Sequence, residues 1–151
     1  PVTVDELRIS AAETYDVMRR GLGMSTPSEM AALMSTIAEG RAVDGSASEA
    51  MLTTLRAQND RSMIPRYLPS QVRVGNKTGT DSEKLPDETG RRGAIRTDAA
   101  IVTGEGIKYT VAIFVRRAAD GSAGVDNAGV VLGARLSKMV FDAFSATRDA
   151  R

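Results

Sequence analysis

The sequence predicts an α+β fold: helices first, then a three-stranded antiparallel sheet, then a C-terminal helix packed on that sheet. Three observations point there. Helix-start signals recur through the first 60 residues, alternating apolar segments fill most of the stretch from Gln71 to Arg116, and helical spacing returns after Asp126.

The first start signal is Ser10-Ala11-Ala12-Glu13, which has the form of a capping box and opens a short helix to about Arg20, with Gly21 and Gly23 as stops. Thr26-Pro27-Ser28-Glu29 is stronger, with a Thr cap, Pro at the first helical position and Glu at the third. Met30, Leu33, Met34 and Ile37 then share one face, and Gly40 ends the helix. Ser46-Ala47-Ser48-Glu49 is expected to open a third helix carrying Met51, Leu52 and Leu55. Pro65 and Pro69 mark a connection. The first strand is expected over about Gln71 to Thr78, a polar loop from Asp81 to Gly93, and the second strand over Ala94 to Thr103. Gly104-Glu105-Gly106 reads as a hairpin turn into a third strand, Ile107 to Arg116, with Tyr109, Val111, Ile113 and Val115 on one face. Asp126 or Asn127 would cap a final helix to about Ala146, burying Leu132, Leu136, Met139, Val140, Ala143 and Phe144. The 151 residues suit one domain, divided as 1–25, 26–60 and 61–151.

Composition narrows the function classes. A chain 42% apolar and 26% charged is globular. Its net charge of +1 gives no bulk attraction for nucleic acid or an acidic membrane, and no apolar run approaches a membrane span. With no Cys there is no disulfide or thiolate chemistry; with no His, a Ser-His-Asp triad and a His-ligated metal site are excluded. No metal or cofactor is expected.

The most informative stretch is Asn76-Lys77-Thr78-Gly79-Thr80, at the end of the first strand. Lys-Thr-Gly in that setting is one of three signature elements of penicillin-recognising serine enzymes. The other two, Ser-x-x-Lys and a Ser-Asp-Asn-type element, do not occur: none of the twelve serines has Lys three residues on. With Thr26 to Met30, the Ile64-Pro65-Arg66-Tyr67-Leu68-Pro69 connection and Asp98 to Val102, the motif makes the chain resemble the C-terminal part of class A β-lactamases over about four-fifths of its length.

That resemblance implies the roles. Lys77 would place an ammonium beside the nucleophile, and Thr80 would give its backbone N–H to an oxyanion hole, which marks these two as the catalytic candidates. Thr78 would bind a substrate carboxylate, and Gly79 would let the substrate approach closely. Arg96 falls near where some class A enzymes reinforce carboxylate binding; the alternative is an exposed strand arginine. Asp98, among Ala, Ile and Val, is expected to partner a nearby backbone or basic group. Residues 1–25 would correspond to an omega-loop-like lead-in, but Glu6 and Glu13 lack the family's Glu-x-x-Leu-Asn setting. Three functions stay open: the C-terminal half of a serine β-lactamase-like hydrolase, a non-catalytic binding module of the same fold, and a D-alanyl-D-alanine peptidase or esterase. The expected partners are a small carboxylate-bearing substrate, β-lactam or peptide-like, and a missing N-terminal half or a second copy. The resemblance implies a periplasmic or secreted location.

Overall fold

A computed structural model describes residues 25–83 and 86–149. The predicted helix at Ser10 and the candidates Glu6 and Glu13 lie outside them. The elements run α1 (Pro27–Ala38), α2 (Gly45–Arg56), β1 (Arg73–Ser82), β2 (Ala94–Gly104), β3 (Ile107–Ala118) and α3 (Ala128–Asp149).

The start of α1 is the capping box that the sequence encodes. Thr26 Oγ1 accepts from the Glu29 N–H (3.3 Å), and Glu29 returns a carboxylate to the Thr26 N–H (2.8 Å). Gly40, at φ 75°, turns the chain after its end. The start of α2 differs from expectation. Asp44, not Ser46, is the cap, its Oδ1 accepting from the Ala47 N–H at 2.7 Å. An ionised carboxylate is the stronger acceptor for those donors. Ser46 bonds to that carboxylate at 2.7 Å, and the buried Ser48 hydroxyl ties the helix to Ala42.

The sheet is an antiparallel meander in the order β1-β2-β3, so among the described residues β1 is an edge strand. It begins at Arg73 rather than Gln71, because the Val72 N–H closes a turn on Pro69 O, and it continues past Thr78 to Ser82. Helices cover both faces. Met34, Ile37, Ala42, Ala99 and Ile101 form one core beneath α1 and α2. Ile64, Val72, Val74, Ala100, Val102, Ile107, Tyr109 and Phe141 form the other beneath α3, with Val111 and Ile113 packed on it.

The face of α3 departs from expectation. Val130, Ala134, Ser137 and Phe141 are buried, whereas Leu132, Leu136, Met139 and Phe144 are exposed. Of the predicted stripe, Val140 alone packs on the core, although Phe144 stacks on Tyr109 at 4.8 Å. The helix turns its smallest residues inward so that its backbone sits close to Met63 and Ile64. Ser137 Oγ donates to Ile64 O (2.9 Å), and a Cβ on Gly133 would lie 2.1 Å from Met63 Cε. Gly133→Ala is therefore expected to destabilise the chain by about 1–2 kcal/mol, overpacking outweighing the gain in helix propensity. An unchanged urea midpoint would contradict this packing.

Candidate functional site

The register of β1 on β2 fixes where each motif residue points. Lys77 pairs with Ala99, Thr78 with Asp98, Gly79 with Thr97 and Thr80 with Arg96. Directly opposite residues share a face. Lys77 and Gly79 thus stand on the α1/α2 side with Ala99, and Thr78 and Thr80 on the α3 side.

Lys77 and Thr78 line an open groove of about 1270 Å³ that runs across the three strands on the α1 side, with Met30, Thr97 and Phe114 also on its walls. Lys77 is exposed, and its Nζ donates to Thr78 O at 2.5 Å. Thr78 is half-buried and donates to Asp60 Oδ2 at 3.1 Å. Gly79 lies in regular register, without a bulge against β2; a Cβ there would meet Thr97 Oγ1 at 2.5 Å. Thr80 is exposed and outside the groove lining.

Arg96 is 5% exposed, not a surface arginine. Its guanidinium donates to three carbonyls: Ile95 (2.7 Å), Ser122 (2.8 Å) and Asp81 (3.2 Å). These bonds tie β2 to the end of β1 and to the loop before α3. The Ser122 carbonyl also accepts from Asn127 Nδ2 at 3.0 Å, and Asn127 Oδ1 caps α3 through the Gly129 N–H at 2.9 Å. Of the five candidates, the structure brings Lys77 and Thr78 to one groove. Gly79 and Thr80 follow along the strand, and Arg96 is held away from that groove.

Behind Thr78 lies a buried polar cluster. Asp98 is wholly buried and accepts from the Ile64 N–H (2.9 Å) and Asn76 Nδ2 (3.1 Å), the structural partnership expected of it. Burial pushes its carboxyl up to about 6, while the bonds from Ile64 and Asn76 pull the other way. Asn76 also donates to Asp60 O (3.2 Å), and its own Oδ1 has no hydrogen-bond partner among the described residues. The Asp60 carboxylate is held below the usual range, chiefly by its bond from Ser62 and, to a lesser extent, by Thr78 and Lys77.

Sequence reasoning missed Asp60 and Asn76. A signal for Asn76 existed: it continues the inward alternation of Val72 and Val74, so a polar residue there must be buried and bonded. Among the described residues no cluster of His, Cys, Asp or Glu could hold a metal ion, and no helix is long and apolar enough to cross a membrane.

The arrangement matches known proteins. A family model described as the β-lactamase enzyme family matches residues 4–144. Among solved structures, a class A β-lactamase from Bacteroides cellulosilyticus is 25% identical, with 89% of this chain aligned to 47% of that one at a TM-score of 0.63. A β-lactamase from Sphaerobacter thermophilus is 24% identical, covering 81% of this chain and 41% of its own, at 0.61. A structure of PBP-A is 24% identical, covering 81% and 40%, at 0.63. No curated protein matches. The chain spans less than half the length of the structures it matches. With a family match from residue 4 to 144, and a Lys-Thr-Gly strand at the edge of a sheet covered by helices on both faces, the chain belongs to the β-lactamase enzyme family.

Proposed function

We propose that this chain supplies one wall of a β-lactamase-like acyl-transfer site, with the nucleophile contributed from outside these 151 residues. The observation that carries the reading is Lys77, on the edge strand, lining an open groove across the α1 side of the sheet. In this role the Lys77 ammonium attracts a substrate carboxylate and favours the negative charge that develops on acyl transfer. The Thr80 N–H serves as an oxyanion donor, Gly79 admits the substrate, and Thr78 recognises the carboxylate. Arg96 acts on that carboxylate indirectly, by fixing the loop that ends at α3. The reaction proposed for the assembled site is acyl-enzyme hydrolysis of a β-lactam.

The partner in this reading is a helical N-terminal half. Its support is the apolar surface left open at Leu132, Leu136 and Met139 on α3 and at Leu33 on α1, since patches of that kind mark interfaces. The location that goes with it is the periplasm or the cell exterior. A second reading, a binding module without catalysis, draws support from the lack of any Ser-x-x-Lys among the twelve serines.

Titration of the isotope-labelled chain with benzylpenicillin tests the first reading. Amide shifts are expected at Lys77 to Thr80 and on the facing β2 residues, lost with the methyl ester and in Lys77→Ala, with no turnover of a chromogenic cephalosporin by the chain alone. Shifts confined to another surface, or turnover that survives repurification, would sink it.

A further inference from the structure

We propose that Phe114 on β3 forms an apolar subsite in the groove, and that it selects carboxylate ligands carrying an aromatic arm. The inference rests on the reading of Lys77 as the anchor for the carboxylate. It goes beyond that reading in naming the rest of the ligand, and in assigning its recognition to a residue two strands away from the Lys-Thr-Gly motif.

Phe114 differs from the other two phenylalanines. Phe141 lies in the core beneath α3, and Phe144 stacks on Tyr109. Phe114 belongs to neither core and has no ring partner among the described residues. It is half-buried and lines the groove. Apolar side chains of this kind, next to a few placed polar groups, are what small-molecule sites are lined with.

The register shows why its ring is left to the groove. Gly79, Thr97 and Phe114 form one row across the three strands, and Lys77, Ala99 and Ala112 form the next. Both rows stand on the α1 side, and apart from Lys77 the neighbours of Phe114 in them are small. Ile95 from β2 and Met30 from α1, both half-buried, complete the apolar part of the lining. With strands about 4.8 Å apart, Phe114 stands two strands, or roughly 10 Å, across the sheet from the line of Lys77. An arm of that length, on a ligand held by its carboxylate, reaches the ring.

Charge orients such a ligand. Arg116 also lines the groove, but Glu83 takes its guanidinium in two bonds of 2.9 Å. Lys77 Nζ is bonded to the neighbouring Thr78 carbonyl and to no carboxylate. Of these two cations, Lys77 is the one with charge to offer. The acid end is therefore drawn to β1, and the arm lies across β2 toward Phe114.

Two ligands test this: benzylpenicillin, and 6-aminopenicillanic acid, which keeps the carboxylate and lacks the phenylacetyl arm. The isotope-labelled chain should bind benzylpenicillin about tenfold more tightly, the gain expected for a partly buried phenyl group, with shifts at Met30, Ile95 and Phe114 that the smaller acid does not produce. Phe114→Ala should abolish that preference and leave binding of 6-aminopenicillanic acid unchanged, and Phe114→Leu should restore most of it. Equal affinities in the wild type overturn the proposal, as does a Phe114→Ala variant that loses both ligands alike, which would make the residue merely structural. Lys77→Ala should weaken both ligands. If it weakens neither while Phe114→Ala still removes the preference, the apolar subsite stands and the carboxylate reading of Lys77 falls. If Lys77→Ala weakens both and Phe114→Ala changes nothing, this inference falls and that reading stands.

Discussion

Truncation of Ile64 to Ala is expected to lower the unfolding free energy by about 3–4 kcal/mol, within the range for burying an isoleucine-sized void in a close-packed core. Ile64 is 0% exposed and lies in the core beneath α3 with Val74, Val102 and Phe141. Its backbone is engaged as well, the N–H with Asp98 and the carbonyl with Ser137. Alanine keeps both backbone bonds, so the loss comes from packing alone. Urea unfolding should show a lower midpoint with an unchanged slope. A loss under about 1 kcal/mol would mean that the connection between α2 and β1 is not part of the core.

The second large effect is a pH dependence set by Asp98. Its folded carboxyl titrates at about 6, above the ordinary value of 3.8, because burial disfavours the charged form. The native state therefore binds more protons than the unfolded state between those values. This contribution is fully present below about pH 4 and is lost as pH rises through about 6. The shift corresponds to about 3 kcal/mol at 1.36 kcal/mol per unit. Carboxylates with lowered values, Asp60 and Asp120 among them, act in the opposite sense and mostly at lower pH. The wild type should thus lose stability between about pH 4 and pH 7, and Asp98→Asn should lose most of that slope. A flat profile for the wild type, or an equal slope in Asp98→Asn, would show that the carboxyl does not titrate as burial requires.

What the sequence made legible was local. The Thr26 capping box, the Gly104–Gly106 turn and the strand leading to Lys77 each rest on residues within a few positions of one another, so their chemistry can be read along the chain. The errors came where a distant partner decides. Helical spacing showed that α3 has an apolar stripe, but not that Gly133, Ala134 and Ser137 would face the sheet instead. Small residues win there because they permit close approach to Met63 and Ile64. Arg96 looked like either a clamp or a surface charge, and it is neither in its geometry. Its partners are main-chain carbonyls 1, 15 and 26 residues away, and a carbonyl carries no sequence signature. Asp60 was invisible for the same reason, since its bond to Thr78 spans 18 residues.

Gly79 and Thr97 share a single small space across β1 and β2, with 2.5 Å between the place a Cβ would occupy and Thr97 Oγ1. The two positions are therefore sterically coupled. A side chain at 79 requires Thr97 to turn its hydroxyl aside, the Thr97 Cβ itself standing at an ordinary 3.8 Å. The rotamer of Thr97 on β2 therefore sets how much room the strand carrying Lys77 has at its glycine.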